Sequence, residues 1–236
     1  MLQFLRKLNT LKGFKRDIKN LTKGLLKLKR LVLIERYFNS HDITKLHLGS
    51  NSTIINGWLC SDIQPQNHQS IYLDVTKRFP FKDNTFNYIN CEHLIEHLDY
   101  KDGLFMLKEC YRVLKKDGRL RISTPDLNTI LRLYTCRSEN YGADYIDWIT
   151  NNFTANSIKH PVAVVNTAFH NWGHRFLYDF DFLKVQLIHC EFTEIERVPY
   201  LQSSDPNLQC IERHHENVGN LSMVQFETML AEAAKR

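Results

Sequence analysis

The feature that most constrains this chain is a change of pattern at Lys45. From there onward, short apolar runs alternate with stretches of helical spacing, as in a sheet whose parallel strands are joined by crossover helices. Strands are expected at Lys45–Leu48, Trp58–Ser61, Ile71–Leu73, Phe86–Cys91, Arg119–Ser123, Thr193–Val198 and Leu208–Glu212. Between the fourth and fifth, Leu104, Leu107, Tyr111 and Leu114 share one helix face, with Gly118 placed as a C-terminal stop. The expected fold is α/β, a mostly parallel sheet of seven strands.

Residues 1–40 read differently. Leu5, Leu8, Leu11, Phe14, Ile18, Leu21, Leu25, Leu28 and Val32 recur by threes and fours between lysines and arginines, the pattern of a basic amphipathic helix. The first 36 residues hold 11 Lys and Arg against Asp17 and Glu35, a local charge of +9. Because the whole chain carries +5, the remainder is mildly acidic, which argues against a nucleic-acid-binding core. Three roles compete for the segment: docking on an anionic membrane face, a seam to a partner or second copy, or a cover for the domain with its charges solvated. The expected division is a helical segment at 1–40 and a single domain at 41–236. The longest unbroken aliphatic string is Leu31–Ile34, far short of the roughly 20 apolar residues a bilayer crossing needs. Six cysteines without a CxxC pair fit a reducing cytoplasm rather than a disulfide scaffold or structural zinc site.

In sheets of this kind ligands bind at the carboxyl ends of the strands, so the residues closing each strand carry the functional reading. After the first strand come Leu48, Gly49, Ser50 and Asn51; one glycine suits a tight turn and a close backbone approach, and there is neither GxGxxG nor a phosphate-cradling GxxxxGK[ST]. Asp62, 13 residues after Gly49, is placed to accept hydrogen bonds from ribose hydroxyls, with Ile63 beside it; so short a spacing predicts a first crossover without a full helix. Asp74 and Val75 close the third strand, either facing an adenine edge or making an ordinary turn. The fourth ends in Cys91, Glu92, His93, Leu94, Ile95, Glu96 and His97. Its order, HLIEH, is not the zinc motif HExxH, and His93 is a candidate general base at the mouth of the sheet, or an orienting group there.

These segments, together with Phe79–Phe86, Arg112–Gly118, Arg121–Asp126 and the distal His174–Asp179, resemble successive blocks of the class I S-adenosylmethionine-dependent methyltransferases, and more specifically those associated with surface-glycan synthesis. The resemblance covers about residues 45 to 126. It implies a Rossmann-like methyltransferase sheet with Leu48, Gly49, Ser50 and Asn51 beside the methionine part of the cofactor. It also implies Asp62 and Ile63 at the ribose, Asp74 and Val75 at adenine, and Cys91, Glu92 and His93 under the sulfonium. The departure is Asn51, where the family usually has a second glycine; Asn tolerates left-handed backbone better than most residues.

The expected function is methyl transfer from S-adenosylmethionine to a sugar hydroxyl of a surface polysaccharide or its lipid-linked precursor. His93, Asp126 and His174 are the candidate bases, and His174, Arg175, Tyr178 and His214 the candidate acceptor contacts. Trp148, Trp172, Tyr178 and Tyr200 can form a sugar platform or pack the core. No metal is expected, because His170 and His174 lack a nearby acidic cluster. Residues 1–40 would dock on an anionic membrane, placing the enzyme at its inner face, or on a glycosyltransferase partner; no nucleic acid is involved. The alternatives are a small-metabolite or quinone methyltransferase and a non-catalytic cofactor-binding partner of a glycosyltransferase complex.

Overall fold

The computed structural model describes residues 24–136, 141–154 and 158–236. The apolar positions from Leu5 to Leu21 lie outside these. A first helix, α1, spans residues 24–40. The rest runs β1 (Lys45–Leu48), β2 (Leu59–Asp62), β3 (Ile71–Tyr72), β4 (Phe86–Glu92), a 3-10 turn (Ile95–His97), α2 (Tyr100–Val113) and β5 (Leu114–Pro125). There follow α3 (Leu127–Thr135), α4 (Ala143–Phe153), α5 (Pro161–His170), α6 (Phe180–His189), β6 (Thr193–Val198), α7 (His214–Val218), α8 (Leu221–Glu227) and β7 (Thr228–Ala234). The seven strands form one sheet in the order β3-β2-β1-β4-β5-β7-β6. The strands from β1 to β5 pair in parallel, while β7 runs antiparallel between β5 and β6. This is a Rossmann-like sheet, parallel from β1 to β5 with one antiparallel strand, β7, near its far edge. The link from β1 to β2 contains turns and no helix, as the 13-residue spacing required.

The two faces of the sheet differ in chemistry. Alternation along each strand sends Leu46, Leu48, Ile89, Cys91, Leu120, Ile122, Ala231 and Ala233 into one core, shared with Met106, Leu107 and Cys110 of α2 and Leu183 and Leu187 of α6. The residues between them, His47, Asn90, Arg121 and Glu232, are register neighbours across β1, β4, β5 and β7 and make a buried polar row on the opposite face. Asn90 Nδ2 lies 3.0 Å from His47 Nδ1, and burial drops the His47 pKa to about 4, so its ring is neutral. Arg121, wholly buried, pairs with Glu232 on one side and reaches Glu212 Oε1 at 2.5 Å on the other, with Gln202 O 2.9 Å from Nη1.

Two expectations are corrected here. Leu208–Glu212 is not a strand; it belongs to the segment that covers the polar row, with Leu208 and Ile211 packed on Ile55, Trp58 and Cys60. Its alternation comes from lying on the sheet rather than in it. The seventh strand is instead Thr228–Ala234, whose alanines have weak strand preference but fit the narrow space beneath α6. Gly118 is also no helix stop. α2 ends at Val113, and Gly118 lies within β5, where a Cβ would stand 2.9 Å from Lys115 O and 3.0 Å from Asn87 O.

The C-terminal part of the basic segment joins the body. Tyr37 of α1 is buried; its hydroxyl accepts from the Lys45 amide at 2.7 Å and lies 3.0 Å from Gly57 O. Leu33, Ile34 and Phe38 pack on the main core, while Leu25, Leu28 and Val32, three members of the apolar repeat, are exposed among the described residues. No helix among the described residues is long and apolar enough to cross a membrane.

Replacing Arg121 by Met would strand two buried carboxylates. The expected loss is about 3–5 kcal/mol in denaturant unfolding, partly recovered when Glu232→Gln is added; a cost under 1 kcal/mol would remove the ion row from the account of stability.

Candidate functional site

The carboxyl ends of β1 to β4 lie along one edge of the sheet and bring the sequence-predicted residues together. Gly49 has φ +71°, and a Cβ there would meet the Leu94 side chain at 3.0 Å, so both its conformation and its surroundings require glycine. Asn51 takes φ +47°, the left-handed conformation that a second glycine would otherwise supply. Its amide donates to Asp62 Oδ2 at 2.9 Å, while Asp62 Oδ1 accepts from the Gln64 amide at 2.7 Å. Asp62 thus ties the β1 loop to the end of β2, and Ser50, buried, donates its amide to Ser61 O at 2.9 Å. Ile63 stands exposed next to Asp62, a bare apolar face at the strand end. Asp74 makes a turn, accepting from Thr76 Oγ1 at 2.7 Å, with Val75 nearly buried beside it. Leu48 and Cys91 are core residues whose backbones alone reach this edge.

At the end of β4 the chain turns sharply, with His93 at φ +45°. Glu92 points away from solvent and accepts the backbone amides of Arg213 (2.9 Å) and His214 (2.8 Å). Burial raises its pKa and those two amides oppose the rise. The result is that His214, at the start of α7, stacks flat on His93 with ring centroids 3.9 Å apart. His93 Nδ1 lies 3.2 Å from Glu96 Oε1 and Nε2 lies 3.0 Å from Thr228 Oγ1.

Electrostatics then divide the histidines into two kinds. Burial works against a charge on His93, but Glu96, with Glu227 and Glu92 nearby, outweighs it and the pKa rises. Burial would lift Glu96 in the same way, but His93 holds it below the ordinary carboxylate value. His93 and Glu96 thus each favour the charged form of the other. His214 is pushed down to about 3 by burial and by the charge on His93, and burial also lowers His174, so both rings are neutral at physiological pH. His174 Nδ1 donates to Ala168 O at 2.7 Å, which leaves the Nε2 lone pair free of its own proton.

These groups surround a cavity of about 300 Å³. Its floor is His93, Glu96 and His97, one side is α7 with His214, and the roof is aromatic, from Trp148 and Phe153 around α4 and Trp172 after α5. α3, α4 and α5 form a helical insertion between β5 and α6 with its own small core, including Ile130, Tyr145, Ile149 and Val164. Glu227 lines the cavity at the end of α8, its pKa raised by burial, with the Tyr145 hydroxyl donating to it.

Of the predicted bases and acceptor contacts, His93, His174 and His214 meet at this cavity. Asp126 does not. It caps α3 through the Asn128 amide at 3.0 Å and pairs with Arg197 at 2.7 Å, so its carboxylate is spent on holding β5, α3 and β6 together. Arg175 points outward to Asp99 at 3.0 Å, and Tyr178 is a core residue whose hydroxyl sits against Gly103 of α2. Tyr200 packs in a separate cluster with Val224 and Leu230. Among the aromatic candidates Trp148 and Trp172 do face the cavity. Sequence reasoning gave no role to Glu96, His97, Phe153 or Glu227. The first two stood in view as the EH of HLIEH, whereas Phe153 and Glu227 come from elements whose approach no local pattern announces.

Residues 58–122 match a family model described as a methyltransferase domain. No curated protein matches the chain. Among solved structures it is similar to a SAM-dependent methyltransferase from Archaeoglobus fulgidus, at 13% identity over 88% of this chain and 94% of that one, with TM-score 0.48. It is also similar to a SAM-dependent methyltransferase from Thermotoga maritima described as a possible histamine N-methyltransferase, at 14% identity over 89% of each chain, with TM-score 0.46. A third is phosphoethanolamine N-methyltransferase 2 of Haemonchus contortus in complex with S-adenosyl-L-methionine, at 14% identity over 87% of this chain and 52% of that one, with TM-score 0.43.

If Glu92 is what seats His214 over His93, Glu92→Ala should cost about 1–3 kcal/mol by stranding two amides. It should also remove hydrogen-exchange protection selectively from Arg213 and His214. Unchanged protection at both amides would mean that α7 is held by other contacts.

Proposed function

We propose that this chain is a class I S-adenosylmethionine-dependent methyltransferase that methylates a sugar hydroxyl. The observation that carries the acceptor reading is the cavity itself. Aromatic faces from Trp148, Trp172 and Phe153 look onto a floor of histidines and carboxylates, an arrangement suited to a ring that is apolar on its faces and hydroxylated at its rim. It opens beside His93, the end of the strand edge along which the cofactor is expected to lie. In this reading Asp62 holds the ribose hydroxyls, Ile63 and Val75 flank adenine, the Gly49–Asn51 turn admits the methionine portion, and Glu92 and His93 act through the backbone and through His214.

Methyl transfer to oxygen is an in-line displacement. The hydroxyl oxygen attacks the methyl carbon, the electron pair of the carbon–sulfur bond goes to sulfur, and the hydroxyl proton must leave. His93 is poorly placed to take that proton, because its Nδ1 faces Glu96 Oε1 and its Nε2 faces Thr228 Oγ1. His214 and His174 line the cavity with their pKa values lowered by burial, and they replace His93 as the candidate acceptors. His93, stacked beneath His214, adds to burial in keeping that ring unprotonated.

Saturating S-adenosylhomocysteine, at about 100 times its dissociation constant, should stabilise the protein by about 2.7 kcal/mol. Asp62→Ala should abolish most of that shift, and NAD should give none. His214→Asn and His174→Asn should each lower turnover on a hydroxyl acceptor by about 10² to 10⁴-fold with cofactor affinity preserved. Full turnover in both variants would refute their part in the proton transfer, and an undiminished shift in a folded Asp62→Ala would put the cofactor elsewhere.

The acceptor in this reading is a surface polysaccharide or its lipid-linked precursor, presented at an anionic membrane. Its support is α1: Leu25, Leu28 and Val32 face outward at 60, 64 and 56% exposure with Lys27 between them, while the opposite side of the same helix is packed on the core. Removing residues 1–23 takes away a charge of +6 without touching Tyr37. The truncated protein should keep its cofactor shift and lose salt-sensitive binding to anionic vesicles; equal vesicle binding would rule out this role.

A further inference from the structure

The turn after β4 and the loop after α5 bring an adjacent pair, Glu96 and His97, together with a group far away in sequence, His174. One ligand atom each from Glu96, His97 and His174 lies within 4.8 Å of the other two, at the floor of the cavity. Separately, Glu96 Oε1 is fully buried and makes no well-formed hydrogen bond among the described residues; His93 Nδ1 stands 3.2 Å away. Two of the three are also oriented from behind. Thr124 Oγ1 donates to Glu96 Oε2 at 3.0 Å, and Ala168 O takes the Nδ1 proton of His174, leaving its Nε2 bare. A backbone carbonyl on the far nitrogen of a histidine and a hydroxyl on the far oxygen of a carboxylate are what ligands need to hold tautomer and direction.

We propose that Glu96, His97 and His174 bind a first-row divalent transition ion of the zinc type, with its remaining position open to the acceptor. Two imidazoles and one carboxylate are the ligand set of open catalytic zinc sites, and too rich in nitrogen for magnesium. Ligand atoms around a tetrahedral ion at 2.0–2.1 Å stand about 3.3 Å apart, so loading from separations within 4.8 Å draws the groups together by at most about 1.5 Å, within reach of side-chain torsions. The expectation that no metal would bind rested on the absence of an acid near His174; Glu96, 78 positions earlier, supplies it.

The role of the ion rests on the hydroxyl-acceptor reading above. An ion here supplies Lewis acidity that lowers the pKa of a hydroxyl at the open position. With the His174 lone pair on the ion, His174 is no longer a proton acceptor: the acidified hydroxyl loses its proton past His214 to solvent, the oxygen–methyl bond forms, and the carbon–sulfur pair leaves on S-adenosylhomocysteine.

The test uses the full chain, free of any affinity tag and stripped with chelator, titrated with Co²⁺ as an optical probe and competed with Zn²⁺. One equivalent should bind with visible bands of a four- or five-coordinate nitrogen and oxygen site. His97→Ala and His174→Ala should each weaken binding at least 100-fold with circular dichroism unchanged, while Cys136→Ser with Cys210→Ser should leave it intact. These histidine variants carry the test, because Glu96→Gln also breaks the pair with His93. Wild-type binding no tighter than that of the histidine variants, or bands that vanish with the cysteines, would overturn the site. Tight histidine-dependent binding with methyl transfer only to nitrogen acceptors would uphold the site and remove the hydroxyl reading; hydroxyl methylation unaffected by chelator, without cobalt binding, would do the reverse.

Discussion

The Arg121 guanidinium, buried between Glu212 and Glu232, is the interaction on which the rest of the arrangement depends. A cation in the middle of a central strand cannot remain on a bare sheet face without its partners, since desolvating it unpaired costs several kcal/mol. Glu232 is supplied by the register of β7, so the pairing selects one alignment of an otherwise undemanding alanine-rich strand. Glu212 is supplied from outside the sheet and fixes the covering segment. Once Glu212 is held, the next two residues, Arg213 and His214, have their amides delivered to Glu92 at the end of β4. The ring of His214 then has nowhere to lie except on His93. A stability element on one face of the sheet thus determines the geometry of the cavity at its edge.

Within the cavity the same logic of buried charge recurs with a different outcome. Glu96 and His93 form a pair at the cavity floor in which each favours the charged form of the other. Burial first, and then the His93 ring stacked beneath, keep His214 neutral. Sequence places four histidines around this site without distinguishing them. Only the stacking, the carbonyl at Ala168 and the carboxylate at Glu96 give each one a separate chemical character.

How much of this could be read beforehand follows from how local each cause is. Six of the seven strands, the helix-free first crossover and the left-handed Asn51 were legible, because alternation, spacing and turn preference act over a few residues. β7 was not, because Thr228–Ala234 is a strand only by virtue of the gap between β5 and β6 that it fills. Leu208–Glu212 misled for the converse reason: its apolar alternation reflects packing on Trp58 and Cys60 rather than pairing. At the site, His93, His174 and His214 line one cavity, whereas Asp126, placed after β5, is bound up with Arg197 and the Asn128 amide. Glu96 was overlooked because a glutamate preceding a histidine has no meaning until a loop from beyond α5 arrives opposite it.

The insertion of α3, α4 and α5 explains why the two halves of the site differ so much in legibility. The strand-end residues Gly49, Asp62 and Asp74 belong to the sheet, whose constraints are the same for any ligand laid along its edge. The cavity roof belongs to helices that have their own core around Ile130, Tyr145 and Val164 and touch the sheet domain chiefly through α8 and the Asp126 junction. Such a unit can change its lining without disturbing the sheet beneath, because Trp148, Phe153 and Trp172 pack against one another rather than on the strands. In the proposed reading, acceptor choice would reside in the insertion and the chemistry in the floor built by β4 and α7. His174 lies at the seam between them, anchored to Ala168 of α5 and close to Glu96 and His97 below, so the two halves of the cavity meet at that ring.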